Sequence, residues 1–220
     1  MNDIILSSLL NLFALYNTRP GSDRKAAEGM LSVYLTHHFG VRDIDSSLEF
    51  YANLVSHYDE NPDIDRDAVA SGMIRKLQGK LSEEDRVLMA LRYMEILHVS
   101  GSPATEDEFR GIAGDFNIDS KLIDDLVSFA IGGKETPGVR TLKCGADSVR
   151  TLYLEKFDTV VFSCFGDEPL KYNDIPVLPG AFMIWQRSGV LKPASSKPLY
   201  YYNALAPYKT GGRAARPQLK

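Results

Sequence analysis

The stretch Leu81–Ile131 constrains the fold more than any other part of the chain, because its helix start signals are written in side chains. Ser82–Glu83–Glu84–Asp85 has the pattern of a capping box, and Thr105–Glu106–Asp107–Glu108 repeats it. In each, a hydroxyl accepts from an orphan backbone N–H while the carboxylate three residues on reaches back to the cap. A polar turn, Ser100–Gly101–Ser102–Pro103, lies between them. Ser82–Val99 is therefore expected to be a helix with Val87, Ala90, Leu91, Met94 and Leu97 as its apolar stripe. Thr105–Phe116 is expected to be the next, and Asp119 caps another through Leu122, Leu126 and Phe129. Gly132–Gly133 ends it, as glycine does just past a helix.

Helical spacing also runs through the first eighty residues. Asp3–Tyr16 carries Ile5, Leu9, Leu12, Phe13 and Tyr16, and Arg19–Pro20–Gly21 breaks it. Ser22 is the expected cap of a second helix with Ala26, Met30, Val33 and Tyr34. A third follows Asp45, with Leu48, Tyr51, Ala52 and Val55 on one side, and a short fourth covers Asp67–Leu77. Asn11–Tyr51 and Met89–Phe129 share one order of helix, turn and helix, with Phe39–Gly40–Val41 and Phe116–Asn117–Ile118 at corresponding joints.

The pattern changes at Lys134–Pro137. Val139–Leu142, Thr151–Leu154, Thr159–Phe165, Phe182–Gln186 and Leu199–Tyr202 are short, β-branched or aromatic, and parted by Gly, Asp, Asn and Pro. The expected class is α+β: an all-helical domain over residues 1–133, a bundle of about seven helices, followed by a small β-rich domain over residues 138–205. Residues 206–220 are expected to be a disordered basic tail, with Lys209, Arg213, Arg216 and Lys220 and no acid.

Chemistry is sparse. The net charge of −4 and pI near 5.6 argue against bulk nucleic-acid binding. A Walker A loop fails twice: Gly79–Lys80 is followed by Leu81, with Ile74 in place of the first glycine, and Gly133–Lys134 is followed by Glu135. The acidic run Asp59, Glu60, Asp63, Asp65 and Asp67 lacks a calcium loop's central glycine and distal glutamate, and Pro62 interrupts it, so a solvated turn is expected. His37 and His38 are adjacent and point about 100° apart on a helix; with His57 and His98 they read as structural. Cys144 and Cys164 form no CxxC pair and are expected to be reduced structural thiols, with a disulfide between facing strands as the alternative. Tyr200–Tyr201–Tyr202, Trp185 and Phe182 read as core and docking aromatics. No residue set stands out as catalytic, cofactor-binding or metal-binding. The N-terminal Met1–Tyr16 has no signal-peptide pattern and no window reaches bilayer length, so a cytoplasmic protein without direct membrane insertion is expected.

Leu88–Met89–Ala90, the Ser100–Gly101 turn, Thr105–Glu106–Asp107–Glu108 and Phe116–Asn117–Ile118–Asp119 together resemble the TerB-like helical family, named from tellurite resistance. Family members carry Asp-Gly in that turn, where this chain has Ser100, and an early acid in the next helix, matched here by Glu108. Leu170–Pro179, Phe182–Ile184, Leu191–Pro193 and Pro198–Tyr202 extend the likeness to the N-terminal region of large Bacteroidetes ABC-type ATP-binding proteins, where such a helical domain precedes a small β domain. The resemblance implies a non-enzymatic regulatory or protein-interaction module, either the N-terminal part of a larger ABC-type ATPase or a stand-alone relative, whose partner is an ATPase or a membrane-associated complex, and no cofactor. Two other readings stand beside it. One is a divalent-metal-binding stress-response module using Asp63, Asp65 and Glu108; the other is nucleic-acid binding through Lys209–Lys220 and the tyrosines, disfavoured by the acidic charge.

Overall fold

The computed structural model describes residues 3–37, 44–99, 105–166 and 169–209. The joint Phe39–Gly40–Val41, the turn Ser100–Gly101–Ser102–Pro103 and residues 210–220 lie outside the described residues. The order is seven helices, then two antiparallel sheets, then a final helix. An all-helical part followed by a small β part is thus what the chain forms. It divides into two compact units, Met1–Ile123 and Asp124–Lys220, and the division falls inside the seventh helix rather than at the composition shift Lys134–Pro137.

The first unit is built on α1 (Asp3–Asn17), which packs against α2 (Arg24–His37), α3 (Asp45–Glu60), α4 (Arg66–Gln78) and α5 (Glu83–Val99). Of the expected stripe of α1, Leu9, Leu12, Phe13 and Tyr16 are buried and Ile5 is half-buried, and Leu10, Ala14 and Leu15 are buried as well. A helix apolar on all sides belongs in a core, and α1 occupies it. On α2 the buried face is Ala27, Met30, Leu31 and Leu35, while Ala26 is exposed. Asp23 rather than Ser22 caps that helix, accepting from the Ala26 N–H at 3.0 Å. Helix α3 buries Ser47, Tyr51 and Tyr58 and leaves Ala52 exposed. Both tyrosines bond to α1: the Asn17 amide donates to Tyr51 and the Tyr58 hydroxyl donates to Asn11. The start of α4 is set by Asp65, which accepts from the Ala68 N–H, two residues before the expected Asp67.

Local chemistry closes the rest of this unit. Ser82 accepts from the Asp85 N–H at 3.1 Å, though its own hydroxyl donates to the Asp85 carboxylate, so the box there is half made. Helix α6 (Glu106–Asp115) has the full box, with Thr105 and Glu108 satisfying each other's backbone N–H. Such a cap contributes about 1 kcal/mol. Its end is a Schellman motif: Asn117 takes φ 53, and the Ile118 N–H donates to the Ala113 carbonyl at 3.0 Å. Helix α7 (Ser120–Ile131) ends the same way with Gly132 at φ 71 and the Gly133 N–H on the Ser128 carbonyl.

The second unit layers the C-terminal part of α7 and two sheets. Sheet one has the order β1 (Val139–Cys144), β2 (Asp147–Leu154), β3 (Thr159–Phe165), β6 (Met183–Trp185). Sheet two has β5 (Ile175–Pro176), β4 (Leu170–Tyr172), β7 (Val190–Pro193), β8 (Leu199–Tyr200). Strand β2 is buried on both faces. One face carries Arg150 and Leu152, and there Arg150 reaches back to Ser128 and to the Gly133 and Lys134 carbonyls, closing the end of α7 with a cation. Phe129 of α7 lies edge-on to Phe182 at 4.9 Å. The other face joins Val149, Val160, Phe162 and Cys164 to Leu170, Tyr172 and Leu191 of sheet two. At the centre, Phe162 meets Tyr172 at 5.1 Å and Trp185 at 5.0 Å. The Trp185 indole donates to the Gly189 carbonyl, and a Cβ at Gly189 falls 2.2 Å from the Tyr172 hydroxyl, so only glycine lets that ring lie on the turn.

Two expectations need correction. Leu199–Tyr202 is not one strand: β8 ends at Tyr200 and α8 (Tyr201–Lys209) begins, burying Ala204 and Leu205 in the β core. The Tyr208 hydroxyl donates to the Thr151 carbonyl at 2.8 Å and holds the helix on β2. The regular structure therefore runs through residues 206–209, which were assigned above to the tail. Strands β4, β5 and β7 were also missed as strands, though the turn between β4 and β5 is marked by Asn173 and Asp174, both at positive φ as a tight hairpin needs.

Candidate functional site

The helical unit carries a cleft of about 150 Å³ between the end of α1, α4, α5 and α6. Its floor is apolar: Ala70, Ile74, Leu97 and Ile112. Its rim is ionic, with Arg19, Asp67, Glu108 and Asp115, and Ser71 beside them. Arg19 follows the end of α1 and is held from both sides, by Asp67 of α4 and by Glu108 of α6 at 3.0 Å. Its guanidinium lies over the Tyr16 ring, 4.6 Å from the centroid. The same Glu108 carboxylate also accepts from the Thr105 N–H, so one side chain caps α6 and anchors α1. Asp115 accepts from the Ser71 hydroxyl and ties α6 to α4.

Tyr16 is 4 % exposed. Burial drives its phenol well above the ordinary value; Arg19 opposes this, while Asp67, Glu108 and Asp115 reinforce it. It is a neutral hydroxyl at any physiological pH. The cleft thus offers a phenol, an alcohol, one guanidinium and three carboxylates over an apolar floor. Such groups are able to hold a ligand by charge, hydrogen bonding and apolar contact.

The acidic run is divided among separate structural tasks. Asp59 takes both guanidinium nitrogens of Arg24 at 2.8 and 2.7 Å, and that pairing holds its carboxyl below the usual range. Asp65 caps α4 and Asp67 meets Arg19, while Glu60 and Asp63 are exposed. Asp65 and Glu108, set with Asp63 as metal-binding candidates, are engaged in different helix caps. Among the described residues no three His, Cys, Asp or Glu side chains group to hold a metal. His57 packs against Tyr58 and His98 stands in the last turn of α5. The side chains of His37 and His38 lie outside the described residues.

The β unit presents a second surface. Tyr200 and Tyr202 are 43 % and 66 % exposed and stack with centroids 5.8 Å apart and planes 7° from parallel. Of the aromatics read as core and docking groups, Trp185 and Phe182 lie in the core and Tyr200 and Tyr202 are exposed. The switch from β8 to α8 brings them outside, while Tyr201 turns inward and donates to the Asp158 carbonyl. Tyr200 pairs with Val190, and Lys192, two residues along β7, shares that face. Lys192 in turn sits opposite Lys171 of β4 and is bridged to Asp174 at 2.7 Å. The result is an outward face of two aromatic rings and two ammonium groups. Among the described residues, no helix is long and apolar enough to cross a membrane.

Cys144 and Cys164 are not joined in a disulfide and are buried on the same face of sheet one, with β2 between them. Cys144 pairs with Asp147 and Cys164 with Val149, so two strand spacings and a two-residue offset put their Cα atoms roughly 11–12 Å apart, beyond disulfide reach. Burial pushes the Cys164 thiol up to about 12, and burial likewise pushes the Tyr208 phenol up to about 12. Folded-state values raised in this way add stability that is whole at low pH and lost as pH rises, because the unfolded chain gives up those protons first. The urea midpoint of the β unit, followed through Trp185 fluorescence, is expected to fall steadily from about pH 9 toward pH 12. Cys164→Ala should flatten part of that fall, and an unchanged slope contradicts the assignment.

No protein-family model matches this sequence, and no curated protein and no solved structure is significantly similar to it. The chain's own geometry carries the functional argument. Sequence reasoning singled out Glu108 but missed Tyr16 and Arg19 as cleft residues, since one reads as a core aromatic and the other as part of a helix break. The basic residue two positions past an apolar helix was the available signal.

Proposed function

We propose that the chain is a non-enzymatic protein-interaction module that regulates or docks on an ATPase or a membrane-associated complex. The observation that carries the reading is the exposed, stacked Tyr200–Tyr202 pair, with Tyr200 on the same sheet face as Lys171 and Lys192. Large aromatic rings left in water at a polar rim are what protein interfaces are made of, and tyrosine is among the residues that dominate binding energy. The β unit does not need these rings for its own core, which Phe162, Tyr172 and Trp185 fill. The TerB-like resemblance of Leu81–Ile131 supports the class of partner, since in the proteins it resembles such a domain precedes an ATPase cassette.

The test is affinity capture on the whole chain and on Tyr200→Ser/Tyr202→Ser. The native chain should retain a protein in near-stoichiometric amount. If each ring contributes about 1 kcal/mol, the double variant weakens that binding roughly thirtyfold. Far-UV circular dichroism and Trp185 fluorescence should not move. Absence of any stoichiometric partner, or retention that ignores both rings, sinks the reading.

A further inference from the structure

We propose that the cleft between α1, α4 and α6 receives the side chain of a lysine or arginine presented by a basic segment of a protein partner. The inference rests on the reading of the chain as an interaction module and names what one of its surfaces takes. Four observations converge on it. The floor, Ala70, Ile74, Leu97 and Ile112, is apolar and suits an aliphatic stem. The rim holds three carboxylates against the single guanidinium of Arg19, so it carries an excess of negative charge. The Tyr16 side chain, 4 % exposed, lines that rim, and among the described residues its hydroxyl has no hydrogen-bond partner. A space of about 150 Å³ has room for the five non-hydrogen atoms of a lysine side chain beyond Cα.

The alternatives fit less well. An anion meets three carboxylates. A purely apolar side chain leaves the Tyr16 hydroxyl and the Asp115 carboxylate dry and without a cationic partner, which is costly. A divalent ion needs converging carboxylates, and Asp67 and Glu108 are already turned to Arg19. Arg19 itself demonstrates that this rim holds a cation over an aromatic ring. An incoming ammonium or guanidinium takes the neighbouring position. It donates to Asp115, whose one hydrogen bond comes from Ser71, and to the Tyr16 oxygen. Its stem then lies along Ile74 and Ile112.

The experiment is a methyl NMR titration of the full chain, labelled at isoleucine and leucine methyls. Three blocked tripeptides are compared: glycine-lysine-glycine, glycine-arginine-glycine, and glycine-norleucine-glycine as the uncharged isostere. The expected result is saturable movement of the Ile74, Leu97 and Ile112 methyls with the lysine and arginine peptides only. Asp115→Asn and, independently, Tyr16→Phe should each weaken that binding at least fivefold while the remaining methyl spectrum keeps its dispersion. Equal response to norleucine, no response to lysine at 50-fold excess over protein, or a response to magnesium, calcium or zinc chloride that Asp115→Asn abolishes overturns the inference. Failure of the peptides while Tyr200/Tyr202-dependent capture persists overturns this inference alone. Saturable lysine binding by a chain that captures no protein overturns the interaction reading alone.

Discussion

Phe162→Ala is expected to lower the urea midpoint of the β unit by about 2 M. Truncating a fully buried phenylalanine costs about 3–5 kcal/mol, and a urea m-value near 2 kcal/mol/M converts that to the stated shift. Phe162 is 0 % exposed and touches both Tyr172 and Trp185, which also meet each other at 6.4 Å. The aromatic group spans the two sheets, so the hole left by alanine cannot be closed by moving one strand. Trp185 is the only tryptophan in the chain, so its fluorescence reports this unit alone. A midpoint within 0.5 M of the native value, on the same m-value scale, would show that the sheets are not held together through this ring.

The second large effect lies in α5. Glu95→Ala should destabilise the helical unit by about 3–5 kcal/mol, the usual result of leaving one member of a buried ion pair without the other. Arg92 and Glu95 bond at 2.7 Å with side chains only 7 % and 5 % exposed. Replacing both, as Arg92→Met/Glu95→Leu, should recover much of the loss, because two helix-favouring apolar side chains of similar length carry no desolvation cost. The measurement is thermal and urea unfolding followed by circular dichroism at 222 nm. If the double variant is as unstable as the single one, the pair is held by more than its charges.

How much of this was legible in the sequence depends on the range of the interaction concerned. Thr105 with Glu108, Asp119, Gly132 and the Asn173–Asp174 turn act within four or five residues, so they announce themselves in one dimension. The apolar period of α5 was equally readable, because burial of Val87, Ala90, Leu91, Met94 and Leu97 follows from 3.6 residues per turn. Arg92 and Glu95 lie outside that stripe, on another side of the helix. They are buried because the tertiary structure covers that side too, and their ionic bond is what makes burial tolerable.

Strand β7 and the two-residue strands β5 and β8 are too short to show alternation; they exist because β4 and β7 give them partners. Helix α8 hides behind a tyrosine run of high strand propensity and an internal proline, Pro207. It forms because Ala204 and Leu205 have a core to enter and Tyr208 has Thr151 to bond. The cleft is the extreme case. It joins Tyr16 and Arg19 to Asp67, Ser71, Glu108 and Asp115, residues that no local pattern connects. The sequence by itself determined that the segments before Lys134 become helices, where the caps of α6 and α7 fall and that a β region follows. Only the tertiary structure decided which polar side chains leave water and which meet, because charge and hydrogen bonding act across space between groups far apart along the chain.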